Sequence, residues 1–372
     1  MFKKILSFSL LLFSLIAFAQ DPKLSADTQV SIFTCDRGEE LYSTFGHTAL
    51  RIQDPNNALD VVYNYGYFDF RTENFYFKFV KGDLQYFMKV TSYDDFVFEY
   101  QLERRQVIEQ TLNLPLFKKQ ELFDALNKAL LSDEKNYTYK FIDRNCTTMV
   151  VNKINGLYGT EKIQKVDDKS ISYRTLLYPY FENYFWCKLG INIVFGAKTD
   201  GNSEKLFLPM EFMHSLDKAT IDGKPLVSKT QTVVQGEPVH VEFSFFNSIY
   251  IICTILLILL ISNSRLLFKS YLFICGILGI LLCLIGLYSL HAELLWNYNA
   301  LLFNPLFLLI PFVKNNFFKK LNVTLLILLL VYCIVMITKP HLVIMLPFIA
   351  TNLYILLKLN GRNPLKLLSA VK

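Results

Sequence analysis

The chain is 372 residues long, with 38 Lys and Arg against 32 Asp and Glu; 52% of its residues are hydrophobic and 19% charged, and its mean hydropathy is +0.30. That balance excludes a disordered polypeptide, and it exceeds the apolar surface an ordinary soluble globule of this length can bury. The net charge of +6 does not describe a nucleic-acid binder, because residues 21–246 carry 26 basic and 31 acidic side chains while residues 247–372 carry 10 and one.

Met1-Phe2-Lys3-Lys4, the apolar run from Ile5 to Phe18 and the triplet Ala17-Phe18-Ala19 predict a secretory signal peptide over 1–20. An uncleaved anchor helix is the other reading, and both export the domain that follows. That domain is expected over 21–200. Phe45 to Ile52 and Val61 to Gly66 alternate around the turn residues Asp54-Pro55-Asn56-Asn57, a β-hairpin signal. The aromatic stretches Tyr65 to Phe70 and Phe75 to Phe79 read either as sheet core or as the lining of an acyl groove. Lys119 to Leu130 has apolar residues at helical spacing. A second helical pattern opens at Asn145-Cys146-Thr147-Thr148, with Asn145 as N-cap and Cys146 in the first turn.

A juxtamembrane segment with a small hairpin at Ile221-Asp222-Gly223-Lys224-Pro225 is expected over 201–246, and a transmembrane bundle over 247–357. Five apolar stretches, at 247–262, 266–290, 300–313, 321–337 and 341–357, supply the spans. A span needs about 20 residues, so the third, which also carries Pro305 and Pro311, is short and kinked. Five alternating spans put nine of the ten basic residues of this half on the cytoplasmic side, including a tail over 358–372, and only Lys339 outside. Four spans with a re-entrant third stretch is the alternative.

A cysteine in the first turn of a helix has its thiolate favoured by the backbone N–H groups and the dipole, more so beside an imidazole. Of the histidines before the membrane, His47, His214 and His240, the strand residue His47 is the candidate base for Cys146. Asn64 on the partner strand is the candidate orienting group, with Tyr63 or Asp60 behind it. Ser43 and Tyr63 are candidate substrate contacts, as are His291, Asn297, Asn299 and Asn304 in and after the outer loop between the second and third spans. The bland alternatives are a packing or disulfide cysteine, a structural histidine, and an interfacial belt anchored by Trp296 and Tyr298. The exported domain has three cysteines, Cys35, Cys146 and Cys187, an odd number that leaves one unpaired in an oxidising compartment; a Cys35–Cys187 pair would leave Cys146 free. No zinc-ligand spacing appears, and no metal or cofactor is expected.

Ser43-Thr44-Phe45-Gly46-His47-Thr48-Ala49-Leu50-Arg51, Val62-Tyr63-Asn64-Tyr65-Gly66 and Asp143-Arg144-Asn145-Cys146-Thr147-Thr148 together resemble the Lnb N-terminal periplasmic domain over roughly residues 25 to 190. The resemblance implies an α+β papain-like fold of the permuted NlpC/P60 branch, in which the histidine precedes the cysteine. It further implies a lipoprotein N-acyltransferase of the inner membrane that takes an acyl chain from a phospholipid donor and passes it to the α-amino group of a diacylated lipoprotein. His47 and Cys146 match the family's motif positions. A membrane-anchored cysteine peptidase or amidase acting on cell-wall peptides is the alternative function.

Overall fold

The computed structural model describes residues 23–160, 162–237 and 242–361. The expected signal peptide, His240 and the tail residues Arg362, Lys366 and Lys372 lie outside the described residues. Nine strands are described: β1 (Gln29–Cys35), β2 (His47–Asp54), β3 (Leu59–Tyr67), β4 (Gln85–Ser92), β5 (Val107–Leu112), β6 (Asn136–Thr138), β7 (Thr220–Ile221), β8 (Lys224–Pro225) and β9 (Val227–Val234). Seven of them form one antiparallel sheet in the order β6-β4-β3-β2-β1-β5-β9. The expected hairpin is β2–β3, in register from Ala49 opposite Asn64 to Asp54 opposite Leu59. Its turn is locked by the buried Asp54 carboxylate, which accepts from Ser25 N at 2.7 Å and Asn57 Nδ2 at 2.6 Å.

Helices α1 (Phe75–Lys81), α2 (Tyr93–Leu102), α3 (Leu116–Leu130), α4 (Cys146–Gly156), α5 (Tyr173–Leu177), α6 (Phe185–Val194) and α7 (Pro209–Lys218) complete the α+β domain. Strand alternation divides its interior in two. Val30, Ile32, Leu50, Ile52, Tyr63 and Tyr65 pack with α3, α4 and α7 in the main core. Phe33, Ala49 and Val62 face the other way, against Phe96 and Tyr100 of α2. On α3 the buried residues are Leu122, Phe123, Leu126 and Ala129, the stripe its spacing predicts. Fully burying one such Leu or Phe contributes about 1.5–3 kcal/mol.

The segment expected to be juxtamembrane is instead largely part of the domain. Phe212 and Leu216 of α7 enter the main core, β9 pairs with β5 along its length, and the β7–β8 hairpin connects the two. The pairing of β9 with β5 joins residues more than a hundred positions apart in the chain, which no local pattern encodes.

The second half contains α8 (Ile249–Ile261), α9 (Arg265–Tyr288), α10 (Asn299–Leu302), α11 (Asn315–Met336) and α12 (Leu342–Leu359). Among the described residues three helices, α9, α11 and α12, are long and apolar enough to cross a membrane. With 13 residues, α8 is about 20 Å long. The expected third span over 300–313 does not form as a helix: the four-residue α10 is followed by a 3-10 turn over Pro305–Leu309. Asn304 caps that turn by accepting from Leu306 N at 3.0 Å. This irregular backbone is buried against α9, where a Cβ at Gly279 would overlap the carbonyl oxygen of Phe303 and one at Gly276 would lie 2.9 Å from Leu308 N. Protein contact replaces the helical ladder that two prolines forbid.

The two halves are joined by a polar seam. The last carbonyls of α6 have no partner inside the helix. Asn297 Nδ2 donates to Ile193 O and Val194 O at 2.8 Å each, and Asn299 Nδ2 donates to Asn192 O at 2.7 Å. Tyr332 of α11 donates to Asn299 Oδ1 at 2.7 Å. Beside them Arg174 is wholly buried, donating to Asp200 at 2.8 Å and to the carbonyls of Phe195 and Gly196. His341, between α11 and α12, has its Nδ1 3.8 Å from Asp200. Residues 289–299 and 337–341 therefore both lie at the domain end of the bundle. Arg265, Lys269, Lys319, Lys320 and Lys358 lie near the opposite helix ends.

Arg174→Ala leaves the Asp200 carboxylate and several carbonyls unpaired in a dry site, a loss of about 3–5 kcal/mol. The expected result is a clearly lowered thermal midpoint for the full chain in detergent. An unchanged midpoint would show that this buried ion pair does not stabilise the protein.

Candidate active site

Cys146 is the first residue of α4, and its direction is set by the residue before it. Asn145 Oδ1 accepts from Thr148 N at 3.0 Å while Thr148 Oγ1 accepts from Asn145 N at 2.8 Å, a reciprocal capping box. The Asn145 amide also donates to Phe141 O at 2.9 Å and Phe207 O at 2.8 Å. Thr147 Oγ1 lies 3.0 Å from Thr48 Oγ1, which fastens the helix start to β2. Burial of Val150, Val151 and Ile154 in the main core holds the rest of α4.

His47 begins β2, and its Nε2 lies 3.3 Å from Asn64 Oδ1. Asn64 is buried, with Nδ2 donating to Val62 O and Thr91 Oγ1 at 3.2 Å each. Both amide hydrogens are thus committed, and only Oδ1 faces the imidazole. That assigns the ring proton to Nε2 and leaves Nδ1 as the acceptor for a thiol proton.

Alternation puts His47 and Asn64 on the sheet face of Ala49 and Val62, whereas Cys146 belongs to the layer on the opposite face. They meet at the end of the hairpin, where β3 bulges between Asn64 and Tyr67. Gly66 there has φ +105°, and a Cβ on it would touch both groups, 3.5 Å from Cys146 Cβ and 3.8 Å from His47 Cε1. A residue without a side chain at this position opens the space between thiol and imidazole.

Burial pushes the Cys146 thiol up, but the charge and hydrogen bond of His47, the Thr48 backbone N–H and the Thr147 hydroxyl together hold it below the ordinary thiol value. Cys35, directly opposite His47 in the β1–β2 register, is pushed up to about 12 by burial. Cys35 and Cys187 are both free, so the suggested Cys35–Cys187 bridge does not form. Hydrogen bonding, rather than an odd cysteine count, distinguishes Cys146.

A family model described as the Lnb N-terminal periplasmic domain matches residues 20–178. His47, Asn64 and Cys146 all fall within the Lnb match. No curated protein and no solved structure matches the chain. The domain extends past the Lnb match, since α7 and the sheet strand β9 lie beyond residue 178.

The remaining candidate contacts are engaged elsewhere. Ser43 Oγ donates to Glu40 O at 2.9 Å and holds the turn before β2. Tyr63 points into the main core and donates to Asn127 Oδ1 at 2.8 Å, on the face away from Asn64. His291 Nε2 donates to Phe79 O at 2.9 Å. Asn297 and Asn299 cap α6, and Asn304 caps its own turn. These residues join the α+β domain to the bundle instead of converging on the thiol.

Thr91 and the rings of Tyr86, Tyr137 and Tyr139 near the thiol had no signal in the sequence, because strand pairing brings them there. The turn entering α4 is also tied to the membrane half. Asp143 pairs with Lys198 at 2.6 Å, Lys198 pairs with Glu293 at 3.1 Å, and Lys140 donates to Gly82 O at 2.6 Å and Leu290 O at 3.2 Å.

Thiolate, not thiol, is alkylated, so the rate at Cys146 should rise with pH and reach half its maximum at a lower pH than a free cysteine does. In His47→Ala the stabilising charge is gone, the thiol pKa rises, and alkylation by iodoacetamide at pH 7 should slow about tenfold for each unit of rise. The mass of the Cys146 peptide reads both rates. Identical profiles for the two proteins would refute the pairing.

Proposed function

We propose that the protein is a lipoprotein N-acyltransferase of the inner membrane, with a permuted papain-like domain on the periplasmic side. The observation that carries this reading is that the Cys146–His47–Asn64 constellation sits in a domain locked to one end of apolar membrane helices. A thiol held there meets substrates that are themselves embedded in the bilayer. Because residues 289–299 and 337–341 share that end, the broken stretch over 300–313 is read as a discontinuous crossing. With α8 this makes five crossings and puts the basic helix ends in the cytoplasm.

In the proposed reaction His47 Nδ1 takes the Cys146 proton and the thiolate attacks an ester carbonyl of a phospholipid. First-turn backbone N–H groups of α4 stabilise the oxyanion. Collapse breaks the ester C–O bond, the imidazolium returns its proton to the leaving lysophospholipid oxygen, and a thioester remains on Cys146. The neutral α-amino group of a diacylated lipoprotein then attacks, the C–S bond breaks, and the amine's proton passes through His47 to the leaving Cys146 thiolate. Asn64 keeps the imidazole turned toward the thiol throughout. Holding donor and acceptor at one surface supplies several kcal/mol, roughly, of the barrier lowering.

Cells relying on Cys146→Ala should accumulate diacylated lipoproteins, seen as a loss of one acyl mass from N-terminal lipopeptides in mass spectrometry. Fully triacylated lipoproteins in such cells would refute the assignment.

A further inference from the structure

Helix α1 differs from the other helices of the α+β domain in what it shows to the outside. Of its seven residues, Tyr76 is 75% exposed and Phe77 70%, with Phe79 and Val80 also exposed. A soluble domain surface does not ordinarily gather large apolar side chains into one helix. What lies beside them identifies the cover. The carbonyls of the last turn of α1 are bound by the residues that directly follow the 24-residue membrane helix α9. Ser289 Oγ donates to Val80 O at 2.6 Å, Leu290 N to Lys81 O at 2.7 Å, and His291 Nε2 to Phe79 O at 2.9 Å.

These bonds hold α1 at the height where α9 leaves the hydrocarbon. Leu287 in the last turn of α9 and Leu290 just after it are 85% and 59% exposed. Aromatic side chains at that depth are stabilised by the headgroup boundary, and the cation of Lys78 suits anionic headgroups. The opposite side of α1 leads inward. The Phe75 ring is 5.7 Å from Phe68, Phe68 is 5.0 Å from Tyr86, and Tyr86 stacks on Tyr139 at 4.5 Å. Tyr86 belongs to the main core, and Cys146 packs against that core.

We propose that α1 is embedded in the lipid surface, its exposed face covered by phospholipid chains, and that it is the port by which an acyl chain passes along the Phe75–Phe68–Tyr86 row to Cys146. The port rests on the acyltransferase reading, whereas the embedding does not.

The test uses the full chain in nanodiscs of phosphatidylcholine and phosphatidylglycerol with brominated acyl chains. Trp186 and Trp296 are present in the parent, so the signal of Phe77→Trp is its difference from the parent. At least half of that added emission should be quenched by the brominated lipid and spared by aqueous iodide. Emission open to iodide and untouched by bromine overturns the embedding. In mixed micelles, the doubly substituted Tyr76→Ser, Phe77→Ser protein should need about tenfold more phospholipid for half-maximal acylation of Cys146, read by peptide mass. Intact alkylation of Cys146 by iodoacetamide checks that its site still forms. An unchanged half-saturation overturns the port. A parent that forms no acyl-Cys146 with phospholipid overturns the acyltransferase reading and the port with it, and the quenching result then decides the embedding alone.

Discussion

The C-terminal end of α6 constrains the whole molecule. Its final carbonyls are buried at the boundary between a folded domain and an apolar bundle, where water cannot satisfy them. Asn297 and Asn299 supply the missing donors, and Tyr332 in turn engages Asn299. Since an unpaired buried carbonyl costs about 1–3 kcal/mol, these bonds hold the domain in one orientation on the helices. The height of α1 against the end of α9, and the direction in which the thiol faces, both follow from that orientation.

Within the domain, a second constraint is that thiol and imidazole belong to different layers. The sheet would ordinarily separate them. The bulge in β3 and the bare Gly66 open a passage at the end of the hairpin, while Asn64 turns the imidazole toward it. The lowered thiol pKa of Cys146 follows from this geometry, and the raised pKa of Cys35 on the neighbouring strand shows what burial does without it. The Asp143–Lys198–Glu293 bridge and the Lys140 contacts carry the membrane seam up to the turn that precedes the thiol. The Cys146–His47 pair and the seam with the apolar bundle are therefore adjacent parts of one network.

Local pattern made much of this legible. The β2–β3 hairpin, the α3 stripe and the capped start of α4 depend on neighbours within a few residues, and all three are formed as their sequences predict. The outer-loop residues His291, Asn297, Asn299 and Asn304 stand out in the sequence as polar groups between apolar stretches. His291, Asn297 and Asn299, however, donate to backbone carbonyls a hundred or more residues away, which no local pattern encodes, while Asn304 accepts from Leu306 N in its own turn. Tyr63 shows the period-two hazard, since one step from Asn64 reverses the sheet face.

By itself the sequence determined which segments are apolar, where the basic residues fall, and that a cysteine opens a helix behind a capping asparagine. These are properties of short windows, governed by hydropathy and backbone geometry. Only the tertiary structure decided that 209–234 completes the sheet, that 300–313 is broken rather than helical, that Cys35 and Cys187 remain apart, and that Thr91 secures Asn64. Each of these depends on groups distant in the chain satisfying one another's buried hydrogen bonds or volume, and that pairing exists only once the chain has folded.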